Sequence, residues 1–277
     1  HLAGGAHRPQ LVVTRPDRPA GRGRRLTAPP VADAAAALGL ETFQPEDVNG
    51  EEARARIAEA RPERLVVCAF GALIRQNLLD EHFILNVHPS LLPRWRGAAP
   101  IERAIMAGDR RTGVCIMRLT AGLDSGPVAL RGEEPIHEDD TFGTLAGRLE
   151  RLSGALLVRA LDAGEELAWS EQPEDGVTYA EKITAVDRTL SPALDAPTMA
   201  RTVRALQPHI GTRIALQDGS FLGVVEARAL PAGAGGPPAS VEERDGRLVF
   251  GDLELLRVQP AGGKPMDAAS YIRGHLA

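Results

Sequence analysis

The sequence predicts an α/β domain built on a mostly parallel sheet, followed by a smaller all-β domain. Three observations lead there. Through the first three-fifths of the chain, short apolar runs alternate with helical patterns, and strand–helix–strand alternation implies parallel pairing. Between Gly164 and Val177 the chain turns polar, with acids, Gly and Pro, as a linker does. Beyond a helical stretch at Thr198–Leu206 come short strands punctuated by turn signals, the pattern of a small β-barrel. A chain of 277 residues accommodates two domains at the usual size of ~150 residues each. Its 43% apolar and 25% charged residues exclude a disordered or fibrous protein.

Taken in order, Leu11–Thr14 reads as a strand, and Val31–Leu40 as an Ala-rich helix opened by Pro29-Pro30. Glu41–Phe43 is a weak strand. Glu51–Ala60 has helical spacing, stopped by Pro62. Leu65–Phe70, Ile84–His88 and Gly113–Leu119 are near-continuous apolar runs, as expected of strands buried on both faces. Thr141–Asp162 is a long amphipathic helix with Leu145, Leu149, Leu152, Leu156 and Leu157 on its apolar side. In the second domain Arg213–Leu216, Leu222–Leu230, Arg247–Phe250 and Leu253–Val258 read as strands, with a turn at Asp218-Gly219. The tract Pro231–Pro238 is a flexible loop among them.

Composition narrows the function classes. The apolar run Leu65–Ile74 is ten residues long, about half of what a bilayer span needs, so no membrane partner is expected. The two cysteines, Cys68 and Cys115, lie in apolar runs, too few for a disulfide framework, which points to a reducing cytoplasm. His82, His137, His209 and His275 do not cluster and no HExxH or CxxC occurs, so no metal is expected. The net charge of −5 argues, at face value, against a polyanionic partner. Only Lys182 and Lys264 are lysines, so an isolated arginine carries little information here and only its placement can.

Three segments can carry chemistry. In the strand Ile84–His88, Asn86 and His88 share one face and Leu85 and Val87 the other; Pro89 then ends the strand. An amide beside an imidazole at a strand's C-terminal edge suits stabilisation of a developing oxyanion, although the pair could equally satisfy buried backbone. Asp124, between Gly122 and Gly126, sits in a loop able to turn tightly and could orient His88 or relay a proton; an Asx-turn is the plainer alternative. Arg15–Leu26 holds five arginines and Asp17, a charge of +4 in twelve residues, within a structureless connection. Gly21-Arg-Gly23 fails as a dinucleotide fingerprint because Leu26 takes the third glycine's place. A mobile basic loop suited to a phosphate backbone, or a merely solvated one, fits better. Trp95, between Arg94 and Arg96, could stack on a ring or cap a pocket, and Tyr179, Glu181 and Lys182 read as a polar junction.

Together these segments resemble the methionyl-tRNA formyltransferases, over nearly the whole chain. Asn86-Val-His88, Ser90-Leu-Leu-Pro-Arg-Trp-Arg-Gly-Ala-Ala-Pro100 and Gly122-Leu-Asp-Ser-Gly126 are similar to motifs of the 10-formyltetrahydrofolate-using superfamily. Arg15–Leu26, Val177-Thr-Tyr-Ala-Glu-Lys182 and Gln259-Pro-Ala-Gly-Gly-Lys264 favour the tRNA-modifying members. The resemblance implies a Rossmann-like formyltransferase domain at 1–163, a linker at 164–180 and an OB-like, tRNA-binding domain at 181–277. It implies a bacterial-type, cytoplasmic, monomeric translation-initiation enzyme that takes 10-formyltetrahydrofolate as cosubstrate and initiator methionyl-tRNA as acceptor. Asn86, His88 and Asp124 would be catalytic, with Asn86 and His88 on the oxyanion and Asp124 holding His88 and assisting proton transfer. Ser90, Leu91, Leu92, Pro93, Phe70 and Gly71 would line the folate site, and Arg18, Arg22, Arg24 and Arg25 would contact tRNA. Family members begin with a βα unit that has no counterpart here, so an N-terminal piece is expected to precede His1.

Rival assignments share the Asn-x-His and Asp: formylation of a nucleotide amino sugar or a purine precursor, or hydrolysis of the folate itself. The C-terminal barrel argues against the purine-precursor enzyme, and the arginine-rich loop against the sugar-modifying one. A non-catalytic tRNA-binding protein would be expected to have lost members of the trio, and all three are in place.

Overall fold

The structure, a computed structural model, describes residues 1–20, 23–233 and 240–276. In chain order, Val12–Val13 (β1) is followed by the hairpin of Arg18–Ala20 (β2) and Arg25–Thr27 (β3). Helix Pro30–Ala37 (α1), strand Thr42–Phe43 (β4) and helix Glu51–Glu59 (α2) come next. Leu65–Cys68 (β5), Gln76–Glu81 (α3), Ile84–His88 (β6), Arg96–Gly97 (β7) and Pro100–Ala107 (α4) follow. Arg111–Arg118 (β8) and Val128–Pro135 (β9) lead to the long helix Phe142–Ala163 (α5). After Tyr179–Ala180 (β10) and Ala196–Ala205 (α6), the strands are Thr212–Ala215 (β11), Phe221–Ala229 (β12), Val241–Arg244 (β13), Arg247–Phe250 (β14), Leu253–Gln259 (β15) and Met266–Asp267 (β16). Ala268–His275 (α7) closes the described chain. None of the described helices is long and apolar enough to cross a membrane.

The chain divides into two compact units, one of His1–Arg96, Gly113–Gly132 and Glu150–Val177, the other of Gly97–Thr112, Glu133–Leu149 and Thr178–Ala277. In the first, the four-stranded sheet has the order β5-β6-β8-β9, and β1 and β4 form a separate parallel pair. β5 runs parallel to β6, with Val67 opposite Asn86. β8, however, pairs antiparallel with β6, His88 opposite Cys115, so the expectation of a mostly parallel sheet gives way to a mixed one. The correction has a physical reason: a continuous apolar run reports burial on both faces and is blind to direction. β5 departs in another way, because Val66 and Cys68 alternate outward and are exposed. Its β-branched residues express strand preference as much as burial.

The segment expected to be structureless is instead partly ordered. Arg18 pairs with Thr27, Pro19 with Leu26 and Ala20 with Arg25 in an antiparallel ribbon. Arg24 adopts the left-handed backbone, with φ of 46°. Gly21 and Arg22 lie outside the described residues, as do residues 234–239, which take in most of the tract Pro231–Pro238.

In the second unit an antiparallel sheet, in the order β11-β12-β15-β14-β13 with β16 paired to β15, curls into a half-barrel. Register shifts between Val224 and Ala227 provide the bulge that bends β12. Leu222, Val224, Leu248, Leu253, Leu255 and Val258 fill its core together with Met199 and Val203 of α6 and Tyr271 of α7. Asp195 and Asp267 cap these helices, each carboxylate accepting a backbone N–H at 2.7 Å, from Thr198 and Ser270.

Candidate active site

β6 is buried from end to end. Leu85 and Val87 are core side chains, while Asn86 and His88, 8% and 4% exposed, share the opposite face as the two-residue period requires. Burying an amide and an imidazole costs free energy unless each finds partners, and the flanking loops supply them.

The loop after β6 serves His88. Ser90 Oγ donates to the Arg94 carbonyl at 2.6 Å and the Arg94 N–H donates to the Leu91 carbonyl, closing a tight turn. That turn presents the Trp95 carbonyl to His88 Nε2 at 2.8 Å. A carbonyl only accepts, so Nε2 carries the proton and Nδ1 is the ring nitrogen left to face Asp124.

The loop after β8 serves Asn86. Antiparallel pairing brings the Leu119 N–H onto the Ile84 carbonyl, and the Arg118 N–H returns to Pro127. The chain between folds back over the β6 face. Gly126 permits this, because a Cβ there would lie 2.1 Å from the Arg118 carbonyl oxygen. Asp124 holds φ of 43°, a left-handed conformation in which Asp is among the tolerated residues. Its Oδ1 accepts from Asn86 Nδ2 at 3.2 Å, and its Oδ2 stands 3.6 Å from His88 Nδ1. The three residues singled out in the sequence are therefore in contact. Burial holds the His88 imidazole below its ordinary pKa, opposed by the attraction of Asp124 and by the hydrogen bond to the Trp95 carbonyl.

The expected folate residues divide into two groups. Ser90 and Leu92 are buried; Ser90 Oγ bonds within the turn, and Leu92 packs with Cys115, Met117 and Val128. Leu91, Pro93 and Phe70 are half-buried and Gly71 is exposed. Phe70 and Gly71 follow β5 just as Pro89 and Ser90 follow its parallel neighbour β6, so both groups leave the sheet at the same edge. Of the arginines, Arg24 and Arg25 are exposed, while Arg18 is paired with Glu46 at 2.5 Å. Among the described residues no three His, Cys, Asp or Glu side chains gather to hold a metal.

Sequence reasoning missed Gln172. Its Oε1 accepts from Arg96 Nε and Nη2 at 3.0 and 2.8 Å, and its Nε2 donates to the carbonyls of Asp124 and Gly126 at 2.8 Å each. Within a stretch read as linker, no pattern marked it.

A family model described as formyl transferase matches residues 4–161. The chain is 46% identical to a protein named methionyl-tRNA formyltransferase from Halorhodospira halophila, over 96% of this chain and 88% of that protein. It is 41% identical to one of the same name from Dechloromonas aromatica, over 99% and 90%. Among solved structures it is similar in fold to HypX from Aquifex aeolicus, with a TM-score of 0.66 at 18% identity, covering 96% of this chain and 48% of that one. It therefore spans about half of HypX. It is also similar to methionyl-tRNA formyltransferase from Clostridium thermocellum, with a TM-score of 0.56 at 12% identity, over 88% and 97%. Site geometry, family match and near-full-length identity agree: this chain belongs to the methionyl-tRNA formyltransferase family.

Proposed function

We propose that this chain transfers the formyl group of 10-formyltetrahydrofolate to the α-amine of methionine on initiator tRNA. The observation that carries the reaction is the Asn86–Asp124–His88 constellation, two hydrogen-bonding side chains on one strand facing a carboxylate on the loop folded over them. The family supplies the substrate pair: relatives at 39–46% identity bear the name of that activity.

Attack of the amine on the formyl carbon leaves negative charge on the formyl oxygen and a surplus proton on the nitrogen. N10 must gain a proton as its bond to carbon breaks. Asn86 Nδ2 makes only a long bond to Asp124, and can turn its N–H to the oxyanion. His88, with Nε2–H fixed on the Trp95 carbonyl, uses Nδ1 for both tasks. On the neutral ring that nitrogen accepts the amine proton; on the imidazolium it donates to the oxyanion or to N10. Asp124 stabilises the charged ring between those events. Leu91, Pro93 and Phe70 offer the half-buried apolar surface that suits a flat heterocycle, with Gly71 leaving room beside it.

The exposed Arg24 and Arg25 on the β2–β3 ribbon fit a phosphate backbone, and Arg22, which falls between the two strands in sequence, would join them. We read the half-barrel, with Arg213 stacked over Phe221 at 3.8 Å, as an OB-like second tRNA surface. The reading extends to a cytoplasmic monomer organised as a catalytic domain at 1–163, a linker at 164–180 and a tRNA-binding domain at 181–277. A transfer assay with labelled 10-formyltetrahydrofolate, comparing initiator and elongator methionyl-tRNA with a 4-amino sugar nucleotide, tests the assignment. Label should enter the initiator tRNA. Transfer to the sugar, or release of free formate alone, would replace this reading.

A further inference from the structure

We infer that Gln172 is a positioning residue for formyl transfer, holding the Asp124 loop and the Trp95–Arg96 turn in register across the His88–Asp124 pair; this rests on the catalytic reading above. The segment that carries it is itself fixed. Trp169 packs edge-on against Phe83, with ring centroids 5.7 Å apart. Ser170 exchanges both backbone hydrogen bonds with Val128, at 2.8 and 3.0 Å. Continuing that antiparallel bridge by two residues sets Gln172 opposite Gly126.

A side-chain amide offers two donor hydrogens and two acceptor lone pairs, and Gln172 uses all four. Its orientation is unambiguous. A guanidinium only donates and a backbone carbonyl only accepts, so Oε1 must face Arg96 and Nε2 the loop. The consequences differ on the two sides. On one, the carbonyls of Asp124 and Gly126 are tied down, which fixes the left-handed backbone of Asp124 and so the direction of its carboxylate. On the other, Arg96 is the residue after Trp95, whose carbonyl holds His88 Nε2. One amide thus links the backbone of the Asp124 loop to the side chain of the residue after Trp95, in the two segments that orient Asp124 and His88. A reaction that needs Nδ1 and Oδ2 aligned depends on both segments, so a shift of an ångström at either is costly in rate.

The test separates the Arg96 side from the loop side. Gln172→Glu keeps the acceptor for Arg96 but sets a carboxylate against two carbonyl oxygens; Gln172→Leu removes all four bonds at similar volume. In the full chain, with methionyl-tRNA and 10-formyltetrahydrofolate, both variants should lose tenfold or more in kcat. Both KM values should stay within about twofold, and Tm should move by only a few degrees. In the uncharged Gln172→Leu variant, loss of the loop's anchor should also lower the His88 titration midpoint, followed by NMR, because Asp124 no longer faces Nδ1. Combined with Asp124→Asn, Gln172→Glu, which keeps the Arg96 side, should cost little further rate, since both remove the same function. Wild-type kcat in both Gln172 variants beside a crippled Asp124→Asn overturns the positioning role and leaves the catalytic reading intact. A Gln172→Glu loss that adds in full to that of Asp124→Asn, with no change in the His88 titration of Gln172→Leu, overturns it too. Wild-type kcat in Asp124→Asn overturns the catalytic reading itself.

Discussion

His88 Nδ1 and Asp124 Oδ2 stand 3.6 Å apart, with their side chains 5% and 14% exposed. At that separation the two are coupled without a tight hydrogen bond, so the pair has room for a proton to arrive from outside it. Two opposed forces set the state of the ring: burial favours the neutral imidazole, and the carboxylate favours the charged one. Burial wins. His88 should therefore titrate below the ordinary imidazole value of ~6.5. Asp124→Asn removes the opposing attraction and should push the midpoint lower still. Observation of the His88 ring protons by NMR, assigned by loss of the signal in His88→Gln, checks both statements. A midpoint that rises in Asp124→Asn would mean that the carboxylate does not face the ring in solution.

Removing any member of the trio should lower turnover while leaving the protein folded. Asn86→Ala takes away an oxyanion donor, a loss typically of about 3–4 kcal/mol in the barrier, or roughly a hundredfold to a thousandfold in kcat. His88→Ala and Asp124→Ala should each cost at least a hundredfold. The three effects should not add, because the groups act on one proton and one oxygen. Single-turnover rates of the single and double variants, with circular dichroism for folding, give the answer. Near-normal rates in all three would move the active site elsewhere.

The strand that carries the site was legible because its alternation is local: Ile84–His88 is the observed β6, and Asn86 and His88 fall on one face by period alone. Asp124 was legible from its flanking glycines, whose close backbone approach is now visible at Gly126. What escaped was non-local. The direction of β8 depends on how the chain returns after α4, which hydrophobic periodicity does not encode. The partner of His88 is the Trp95 backbone carbonyl, and any residue supplies a carbonyl. Gln172 owes its role to a bridge between Ser170 and Val128, residues 42 positions apart in sequence. The β2–β3 ribbon was hidden by its own composition, since Arg, Pro and Gly read as loop whether or not the flanks pair.

The ribbon makes a graded prediction. Arg24 and Arg25 are exposed, whereas Arg18 is already paired with Glu46. A phosphate contact by Arg18 must therefore give up that ion pair, which, being exposed, is weak. Arg24→Ala and Arg25→Ala should each raise the KM for tRNA several-fold and reduce the salt dependence of binding by about one counterion. Arg18→Ala should have the smallest effect of the three, and none should alter the KM for 10-formyltetrahydrofolate. Filter-binding titrations across ionic strength, beside steady-state kinetics, measure both quantities. An unchanged salt slope in every variant would take the ribbon out of tRNA contact.

The second unit carries its own pH signature in Asp187. Burial pushes its carboxyl up, but Arg103 Nη1 at 2.7 Å and the Thr184 N–H and Oγ1 at 2.8 and 2.7 Å outweigh it, and the pKa falls to about 2. The unfolded chain binds that proton near ~3.9, so ionised Asp187 favours the folded state. The depressed value sets the sign: the stabilisation is fully present above pH ~4 and is lost as pH falls towards ~2. Its size is about 2–3 kcal/mol by linkage, for a side chain 20% exposed. Asp187→Asn should therefore melt several degrees lower than the parent at pH 7. The gap should close on acidification, as the parent loses what the variant never had. Urea titrations of both proteins at pH 7, 5 and 3 follow it. A difference that stays constant across that range would mean that the carboxylate's charge contributes nothing, and that packing around Arg103 accounts for the loss.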